Sequence, residues 1–386
     1  MRVLHIIPSL AAAHGGPSKA IVIMENALGA LGLSITTATT DDDGPGRYLA
    51  CTLNQAVESR PTTRWYFHKN TEFYKVAWAF LPWAKHAVSR FDVVHIHALF
   101  SFTSIVAAWT ARRAGVPYII RPLGTLTNYG RTQRRPWLKR LSLKWIEGPL
   151  LRDAAAVHFT SLDEQREAAE CGVPLRGVVI SLGIEAAAVT DDTLVRSRFS
   201  ALQGSSYLLY LSRLDSKKNV EGLLRAFAQC SAQLPDTKLM IAGNGTPAYV
   251  ASLMALATTL GLYKQVIWAG HIQGDLKGSA LAGAKLFVLP SYSENFGIAA
   301  AEALMAGLPC VLGHGVAISH DVVSANAGVA VQTDPASIAA GLMQVLSNPA
   351  MQATMSANAT ALARNKYSAQ AMGVNLVELY SGLLKK

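Results

Sequence analysis

Short apolar runs alternate with longer stretches of helical periodicity along the whole chain. In the first half the runs occupy residues 3–7, 93–97, 118–121 and 156–159. In the second half they are "YLLYLSRL" (207–214), "KLMIAG" (238–243), "QVIWAG" (265–270), "KLFVLP" (285–290) and "PCVLG" (309–313). Continuous apolarity is typical of strands covered on both faces, as in parallel sheets. The repeated strand–helix alternation therefore predicts two doubly wound α/β domains.

The domain boundaries follow from where the strand signals stop. A length of 386 residues suits two domains. Strand signals lapse at residues 181–195, where acidic, loop-like residues appear. We expect Rossmann-like domains over residues 1–185 and 186–365. The final helical segment, 366–386, has no strand after it, so we expect it to pack back on the first domain.

Composition limits the class of protein. With 51% hydrophobic and 16% charged residues the chain can form packed cores. The net charge of +10 favours anionic partners such as nucleic acid, acidic lipid or phosphorylated small molecules. Four cysteines without paired spacing argue against a metal cluster or a disulfide framework, and favour a reducing cytoplasm. No apolar run is long enough to span a bilayer, and "MRVLHIIP" indicates a strand rather than a secretory signal.

Ligands of doubly wound sheets lie beyond the carboxyl ends of the strands, so the loops that follow the strands matter most. Gly15 and Gly16 follow the first strand, before a helix predicted to begin near Lys19. Free N–H groups at the start of a helix can bind a phosphate. An ordinary strand–helix turn would show the same Gly-Gly sequence. The pattern is not GxGxxG, which disfavours an NAD-dependent dehydrogenase.

Two loops in the second half carry charged residues after predicted strands. Arg213 and Lys218 in "SRLDSKKN" could neutralise a diphosphate, or could form a solvated basic turn. In "ENFGIAAAE", Glu294 is predicted in a loop and Glu302 one turn inside a helix over about 298–306. Carboxylates suit sugar hydroxyls, but glutamates in a first helical turn also serve simply as dipole partners.

Taken in order, these motifs resemble the retaining GT-B glycosyltransferases of family 4. The resemblance rests on Gly15-Gly16, "FDVVHIH" (91–97), "SRLDSKKN" (212–219), "AGNG" (242–245) and the Glu-x7-Glu stretch with "LMAGLPCV", and it spans nearly the whole chain. It implies a GT-B fold, in which two facing Rossmann-like domains enclose a cleft, with the acceptor on the first domain and the nucleotide-sugar donor on the second. The chain departs from the family pattern at Ser181-Leu182-Gly183 and in "GHGVAISHD" (313–321).

The resemblance also implies roles for individual residues. Glu302 would hold the ribose hydroxyls, Glu294 the donor sugar, and Arg213 with Lys218 the diphosphate leaving group. His97 would approach the donor sugar, and Arg121 would lie on the acceptor side. The remaining donor-binding candidates are Gly15, Gly16, Gly243, Gly245, His271, Asn295, Phe296, Gly297 and Ile298. We expect no metal and no cofactor. The acidic "DDDGPG" (41–46) is predicted to be a turn.

The segment "RTQRRPWLKRLSLKWIEG" holds six cations between Arg131 and Lys144. A helix opened by Pro136 would place Leu138, Leu141 and Trp145 on one face. Such a basic amphipathic helix indicates either an anionic membrane surface or an ordinary packed helix with a wet face.

The predicted function is retaining, metal-independent transfer of a sugar from a nucleoside-diphosphate sugar to a hydroxyl. By family analogy, the acceptor is a lipid-linked or polysaccharide intermediate of bacterial surface glycan synthesis. The protein would be cytoplasmic, and peripheral at the inner face of the plasma membrane if the basic segment binds lipid. The alternatives are a GT-B epimerase or hydrolase and a non-catalytic nucleotide-sugar binder. Nucleic-acid binding is suggested by charge alone and lacks a motif.

Overall fold

The computed structural model describes residues 1–11, 15–132 and 136–385. Its contacts divide the chain into two compact units, Met1–Gly183 with Ala369–Lys386, and Ile184–Ser368. Each unit is built on a largely parallel sheet against which helices pack. This is the two-domain α/β architecture that the strand–helix alternation predicts.

The first unit contains an eight-stranded sheet among its described residues. Its strands are β1 (Arg2–Ser9), β2 (Ser34–Thr40), β3 (Ala56–Ser59), β4 (Thr62–Phe67), β5 (Val93–His97), β6 (Tyr118–Arg121), β7 (Ala156–Phe159) and β8 (Gly177–Val179). The order is β3-β4-β2-β1-β5-β6-β7-β8, and only β3 runs antiparallel to its neighbour. The helices are α1 (Gly16–Ala30), α2 (Phe80–Ala87), α3 (Phe102–Arg113), α4 (Asn128–Thr132), α5 (Pro136–Ser142), α6 (Gly148–Asp153) and α7 (Leu162–Ala169).

The second unit contains a six-stranded, fully parallel sheet in the order β11-β10-β9-β12-β13-β14. The strands are β9 (Ser206–Leu211), β10 (Thr237–Ala242), β11 (Val266–Gly270), β12 (Leu286–Leu289), β13 (Cys310–Gly313) and β14 (Gly328–Val331). The helices are α8 (Thr193–Arg198), α9 (Val220–Cys230), α10 (Pro247–Thr259), α11 (Gly274–Gly283), α12 (Ile298–Met305), α13 (Ser319–Ser324), α14 (Pro335–Leu346) and α15 (Pro349–Leu362).

The last helix, α16 (Ala369–Leu384), belongs to the first unit and packs on α1. Leu376 and Tyr380 on α16 are fully buried in a core with Val3, Val93 and Ile119. Successive strand residues face opposite sides of a sheet, so Leu4, Val94 and Ile120 join a separate core on the other face. Within the described ranges, no helix combines the length and apolarity needed to cross a membrane.

Strand register determines which polar residues of the first unit share a face. His5 on β1 pairs with His95 on β5, and His97 pairs with Arg121 at the end of β6. Cross-strand partners point to the same side of a sheet, and so do residues two apart on one strand. The four side chains therefore lie on the face that α1 and α16 cover.

The predicted strands at 93–97, 118–121 and 156–159 are confirmed. The apolar pattern did not identify β2, β3, β4, β8 or β14. The first helix was predicted to begin near Lys19 but begins at Gly16, because Pro17 fits the first helical turn, where no N–H is needed.

Candidate functional site

Two loops emerge side by side at the carboxyl edge of the second unit's sheet, because β9 and β12 are neighbouring parallel strands. The first, called the basic loop, spans residues 212–219 between β9 and α9 and includes a 3-10 turn, Ser216–Lys218. The second, called the carboxylate loop, spans residues 290–297 between β12 and α12. Together they hold six of the residues predicted from the sequence to bind the donor: Arg213, Lys218, Glu294, Asn295, Phe296 and Gly297.

Hydrogen bonds join the two loops. The N–H of Tyr292 donates to the carbonyl of Lys217 at 3.0 Å. The side-chain amide of Asn219 donates to the carbonyls of Pro290 and Thr333 at 3.2 and 2.8 Å. Asn219 adopts the left-handed conformation with φ 56°, which asparagine tolerates better than most residues. Asn219 and Tyr292 carry no signal in the sequence that marks them as site residues. Their contacts hold the two loops together.

Lys218 and Glu294 meet in an ion pair between the two loops. The side chains are 7% and 18% exposed, so both charges are largely removed from water. Ser291 donates a further hydrogen bond to the same carboxylate oxygen at 3.3 Å. Arg213 behaves differently, since its side chain is 82% exposed and its guanidinium lies 3.8 Å from Asp215. The structure therefore brings Lys218, but not Arg213, onto Glu294.

The segment at residues 315–317 holds the backbone of Glu294 through two hydrogen bonds. The N–H of Glu294 donates to the carbonyl of Gly315 at 2.8 Å, and the N–H of Ala317 donates to the carbonyl of Glu294 at 3.2 Å. A Cβ at position 315 would lie 2.1 Å from the carbonyl oxygen of Tyr292, so only glycine allows this approach. This segment lies within 313–321, where the chain departs from the family pattern.

The carboxylate loop ends at the N-terminus of α12. Gly297 caps this helix with φ 95°, a conformation that glycine adopts without strain. Phe296 is buried and makes an edge-to-face contact with Tyr367, so its side chain belongs to the core. Asn295 is exposed and Ile298 is half-buried. The first N–H groups of α12 offer partial positive charge beside Glu294.

Glu302 lies one turn further along α12 and is 21% exposed. Its Oε1 accepts a hydrogen bond from Nζ of Lys277 on α11 at 2.5 Å. The predicted helix and the depth of Glu302 within it are confirmed. Lys277 carried no signal in the sequence, because "GDLKGSALAG" reads as an ordinary helix.

The glycines of "AGNG" have a packing role. A Cβ on Gly243 would lie 1.8 Å from the carbonyl oxygen of Ser212, and one on Gly245 would lie 2.4 Å from that of Leu214. Both glycines therefore let the segment after β10 approach the basic loop closely. His271 follows β11 in an exposed position just before α11.

A cluster of histidines in the first unit surrounds His97. His5, His95, His97 and His158 are all fully buried, so His97, predicted to approach the donor sugar, has no exposed surface with which to do so in this structure. Nδ1 of His5 and Nε2 of His97 lie 2.8 Å apart. Burial, together with neighbouring histidines and Arg121, holds the pKa of His97 well below its usual range. Burial and then Arg121 lower the pKa of His5 and of His158 to about 3. The cluster is therefore neutral at neutral pH.

The hydrogen bonds fix the protons on two of these rings. The carbonyl of Ile180 can only accept, so Nε2 of His158 donates to it at 2.8 Å. Nδ1 of the neutral His158 must then accept from Nε2 of His95 at 3.3 Å. Nδ1 of His95 accepts in turn from the hydroxyl of Tyr380 at 2.8 Å. The chain of bonds ties α16 to the sheet.

Nitrogens of His5, His95 and His97 lie within 4.8 Å of one another, as in a metal site. However, both nitrogens of His95 are committed to hydrogen bonds, and the positive charge of Arg121 acts on all three rings. These contacts disfavour a cation there.

Arg121 lies beside His97 in the strand register and is 2% exposed. Burial lowers the pKa of its guanidinium to about 10, against the charge of Glu164. Its Nε and Nη1 have no hydrogen-bond partner in the described ranges. Glu164 instead accepts from Thr160 and from the N–H of Gly124.

Gly15 and Gly16 open α1 as expected of a strand–helix loop. Gly15 caps the helix with φ 66°, and Gly16 is its first residue. Residues 12–14 of the same loop lie outside the described residues, as do residues 133–135 of the basic segment.

The acidic turn at 41–46 is held by lysines. Burial alone would raise the pKa of Asp42, but hydrogen bonds from Lys69 and Lys75 outweigh it and lower the pKa to about 2. The carboxylate of Asp42 is thereby engaged within the first unit.

The basic segment exposes an apolar row that differs from the predicted one, because Leu138 is half-buried and Trp137 takes its place. Trp137, Leu141 and Trp145 are 65%, 52% and 67% exposed, whereas Leu143 and Glu147 pack inward. Of its cations, Arg131 bonds to Glu170 and Lys139 to the carbonyl of Gly130. Arg140 and Lys144 are exposed, and Nζ of Lys144 lies 5.0 Å from the ring centre of Trp145.

Two family models match the two halves of the chain. Residues 15–183 match the glycosyl transferase 4-like domain, and residues 195–362 match glycosyl transferases group 1.

Curated relatives are similar over part of their length. Alpha-monoglucosyldiacylglycerol synthase of Streptococcus pneumoniae (strain ATCC BAA-255 / R6) is 27% identical over 75% of this chain and 66% of its own. A GDP-mannose-dependent alpha-(1-6)-phosphatidylinositol monomannoside mannosyltransferase of Mycolicibacterium smegmatis is 29% identical over 45% of this chain and 47% of its own. The chain thus spans between about half and two thirds of the length of the curated relatives it matches.

Solved structures share the whole fold. Anabaena Alr3699/HepE, solved in complex with UDP, superposes with a TM-score of 0.77 at 18% identity, covering 99% of this chain and 100% of the other. The same protein has also been solved with UDP-glucose.

Proposed function

The chain belongs to the GT-B family 4 glycosyltransferases, and from this premise we propose that it transfers a sugar from a nucleoside-diphosphate sugar to a hydroxyl with retention of configuration. The observation that carries the proposal is the pairing of both signature glutamates with lysines, Glu294 with Lys218 and Glu302 with Lys277. Each pair presents charge and hydrogen-bonding groups beside the carboxyl edge of one sheet. The complex of Alr3699/HepE with UDP-glucose supports a nucleotide-sugar donor.

The donor lies along the carboxylate loop. Glu302 accepts hydrogen bonds from the ribose hydroxyls, since one carboxylate can serve both groups of a diol. Glu294 accepts from the hydroxyls of the sugar. The loop at 270–273, with His271, holds the base, and the first N–H groups of α12 contact the phosphates.

The chemical problem is the charge that develops as the bond from the sugar C1 to the phosphate breaks. Negative charge grows on the diphosphate, and the largely buried Lys218 meets it in a medium of low polarity. Arg213, exposed in the free protein, swings onto the diphosphate when the donor binds. Their two charges replace the divalent cation that many phosphate-transfer sites use, so transfer proceeds without a metal.

Retention follows from attack on the face that the diphosphate leaves. The acceptor hydroxyl gives its proton to the departing phosphate oxygen and bonds to C1 on the same side. A glycosidase-like nucleophile would have to lie directly beneath C1. Glu294 is held to Lys218 and Ser291 and serves as a hydrogen-bond acceptor instead.

The first unit receives the acceptor. Arg121 and His97 are buried beneath α1 and α16, so the acceptor contacts other groups of this unit, and neither side chain is assigned a contact with it. The relatives named for diacylglycerol and phosphatidylinositol products support a lipid-linked acceptor, and a role in bacterial surface glycan synthesis is part of the proposal.

The basic segment places the enzyme on the inner face of the plasma membrane. Trp137, Leu141 and Trp145 form an exposed apolar row, and Arg140 and Lys144 flank it. Tryptophan and lysine favour the interface of an anionic bilayer. The apolar row of an ordinary packed helix would be buried. The exposure of Trp137, Leu141 and Trp145 therefore favours membrane binding.

A thermal-shift panel of UDP-, GDP- and ADP-sugars identifies the donor, because a bound ligand raises the melting temperature by mass action. The selected donor is then incubated with membrane lipid extract in the presence of EDTA. Transfer to lipid with an unchanged anomeric configuration supports the proposal. Free sugar or an epimerised nucleotide sugar as the only product would contradict it.

A further inference from the structure

Lys277 and Glu302 connect two helices of the second unit. Lys277 lies on α11, one turn after the loop at 270–273, and Glu302 lies on α12. Both side chains are about three-quarters buried, at 26% and 21% exposure. In the described part of the chain, Lys277 is the cation that pairs with Glu302.

The pairing uses one oxygen of the carboxylate. Nζ of Lys277 donates to Oε1, while Oε2 of Glu302 makes no hydrogen bond to the described residues. A glutamate side chain has three rotatable bonds, so an unpaired carboxylate samples many orientations. The bond to Lys277 selects one of them and compensates the negative charge that the site buries.

We infer that Lys277 is a positioning residue for ribose recognition, an inference that rests on the proposed nucleotide-sugar site. It holds Oε1 so that Oε2 faces the position of a ribose hydroxyl before the nucleotide arrives. The affinity for the nucleotide then depends on Lys277 through its bond to Glu302. Because α11 also begins at the loop proposed to hold the base, the pair sets the spacing between base and ribose.

The test compares binding of ribonucleotides with that of their deoxy counterparts. UDP, GDP and ADP are titrated into the full chain, each beside its 2′-deoxy and 2′,3′-dideoxy form. For the nucleotide that binds, Lys277→Met should raise Kd about tenfold, the worth of one charge-assisted hydrogen bond. For the dideoxy form, wild type and Lys277→Met should bind equally, because no hydroxyl remains to be positioned.

Two further variants separate positioning from folding. Lys277→Arg keeps a donor at the same place and should recover most of the affinity for the ribonucleotide. Lys264→Met, an exposed lysine of the same unit, is the matched control and should bind as wild type does. A merely structural tether would lower the affinity for the ribo and dideoxy forms alike, and that result would overturn the inference.

Nucleotide binding by Glu302→Gln and by Lys277→Met distinguishes an error in the role of Lys277 from an error in the proposed nucleotide site. If Glu302→Gln weakens binding and Lys277→Met does not, positioning by Lys277 is wrong and the nucleotide site stands. If Glu302→Gln binds as tightly as wild type, or if no nucleotide binds wild type, the proposed site itself is wrong.

Discussion

Lys218 and Glu294 form an ion pair that joins the basic loop to the carboxylate loop, and neither side chain is more than one-fifth exposed. A pair of this kind couples stability to function. Each charge is tolerated because the other is present, and the same lysine is proposed to meet the charge of the leaving diphosphate.

Lys218→Met should therefore damage both properties. Removing the cation leaves Glu294 as a largely buried, uncompensated carboxylate, and we expect a loss of about 1–3 kcal/mol in the free energy of unfolding. Turnover should fall about 100- to 1,000-fold because charge stabilisation is lost. Urea unfolding and transfer kinetics measure the two effects.

The double variant Lys218→Met/Glu294→Gln is the control for this pair. It removes both charges and should recover at least half of the lost stability while turnover stays low. Equal stability of the single and double variants would show that the pair carries no coupling.

Gly315→Ala should disturb the carboxylate loop. The added methyl would lie 2.1 Å from the carbonyl oxygen of Tyr292, so the loop must move, and with it the hydrogen bond that holds Glu294. We expect nucleotide affinity to fall at least about tenfold. The matched control is Gly382→Ala, where a Cβ meets nothing within 4 Å. An unaltered titration curve for Gly315→Ala would mean that this segment does not position Glu294.

Acid should destabilise the first unit through the histidine cluster. His5 and His158 have a pKa of about 3 when folded and about 6.5 when unfolded. Below about pH 6.5 these histidines are therefore protonated in the unfolded chain but stay neutral in the folded chain. The stability from these residues is complete above that pH and is lost as the pH falls, by about 1.4 kcal/mol per unit for each histidine.

Urea unfolding at about pH 7.5, 6 and 5 measures this loss, a range in which ordinary carboxylates contribute little. His158→Gln should reduce the change in the free energy of unfolding with pH. Replacement of the exposed His86 by glutamine should leave this change as it is in the wild type. The Glu147 carboxyl adds a pH dependence of opposite sign in this range, which the wild type and the histidine variants share. A pH dependence that His158→Gln leaves unchanged would contradict the neutral, buried cluster.

Glu147 should act in the opposite direction. Burial raises the pKa of this carboxyl to about 7, against the hydrogen bond it accepts from the N–H of Phe100. The folded chain thus keeps a proton that the unfolded chain releases, and stability falls as pH rises from about 4.5 to 7. Glu147→Gln should raise the melting temperature at about pH 8, equivalent to about 1–3 kcal/mol, with the gain fading by about pH 5. The same gain at both pH values would show that Glu147 does not titrate there.

Membrane contact should depend on the exposed tryptophans. We expect full-length protein to float with vesicles that contain anionic phosphatidylglycerol and to remain behind with neutral phosphatidylcholine vesicles. Trp137→Ser/Trp145→Ser should reduce flotation at least about fivefold. Trp109→Ser, a half-exposed tryptophan of α3, is the matched control. Equal recovery with neutral and anionic vesicles would remove the electrostatic argument.

The sequence predicts the fold well where apolar runs are continuous. Buried central strands such as β5 and β6 carry such runs, and their bounds are confirmed. The strand β2, "SITTATT", was missed because threonines fill its buried positions and leave no apolar run. The short edge strand β8 has too few residues to show any period.

Only those site residues that belong to a local sequence motif could be predicted from the sequence. The spacing of Glu294 and Glu302 can be read from the sequence, but their lysine partners lie 76 and 25 residues away, and only the fold brings them together. The same holds for His5, which reaches His97 across 92 residues. Gly315 sits in a segment that departs from the family pattern, so only its contact with Tyr292 reveals why glycine stands there.

The central claim is that the basic and carboxylate loops of the second unit bind an activated sugar. Isothermal titration calorimetry with UDP-glucose, GDP-mannose and ADP-glucose tests this claim most directly. We expect one donor to bind wild type with a Kd between about 1 μM and 1 mM. The same donor should bind Lys218→Met and Glu302→Gln at least about tenfold more weakly. Equal affinity for the wild type and both variants, or no binding of any donor, would contradict the account.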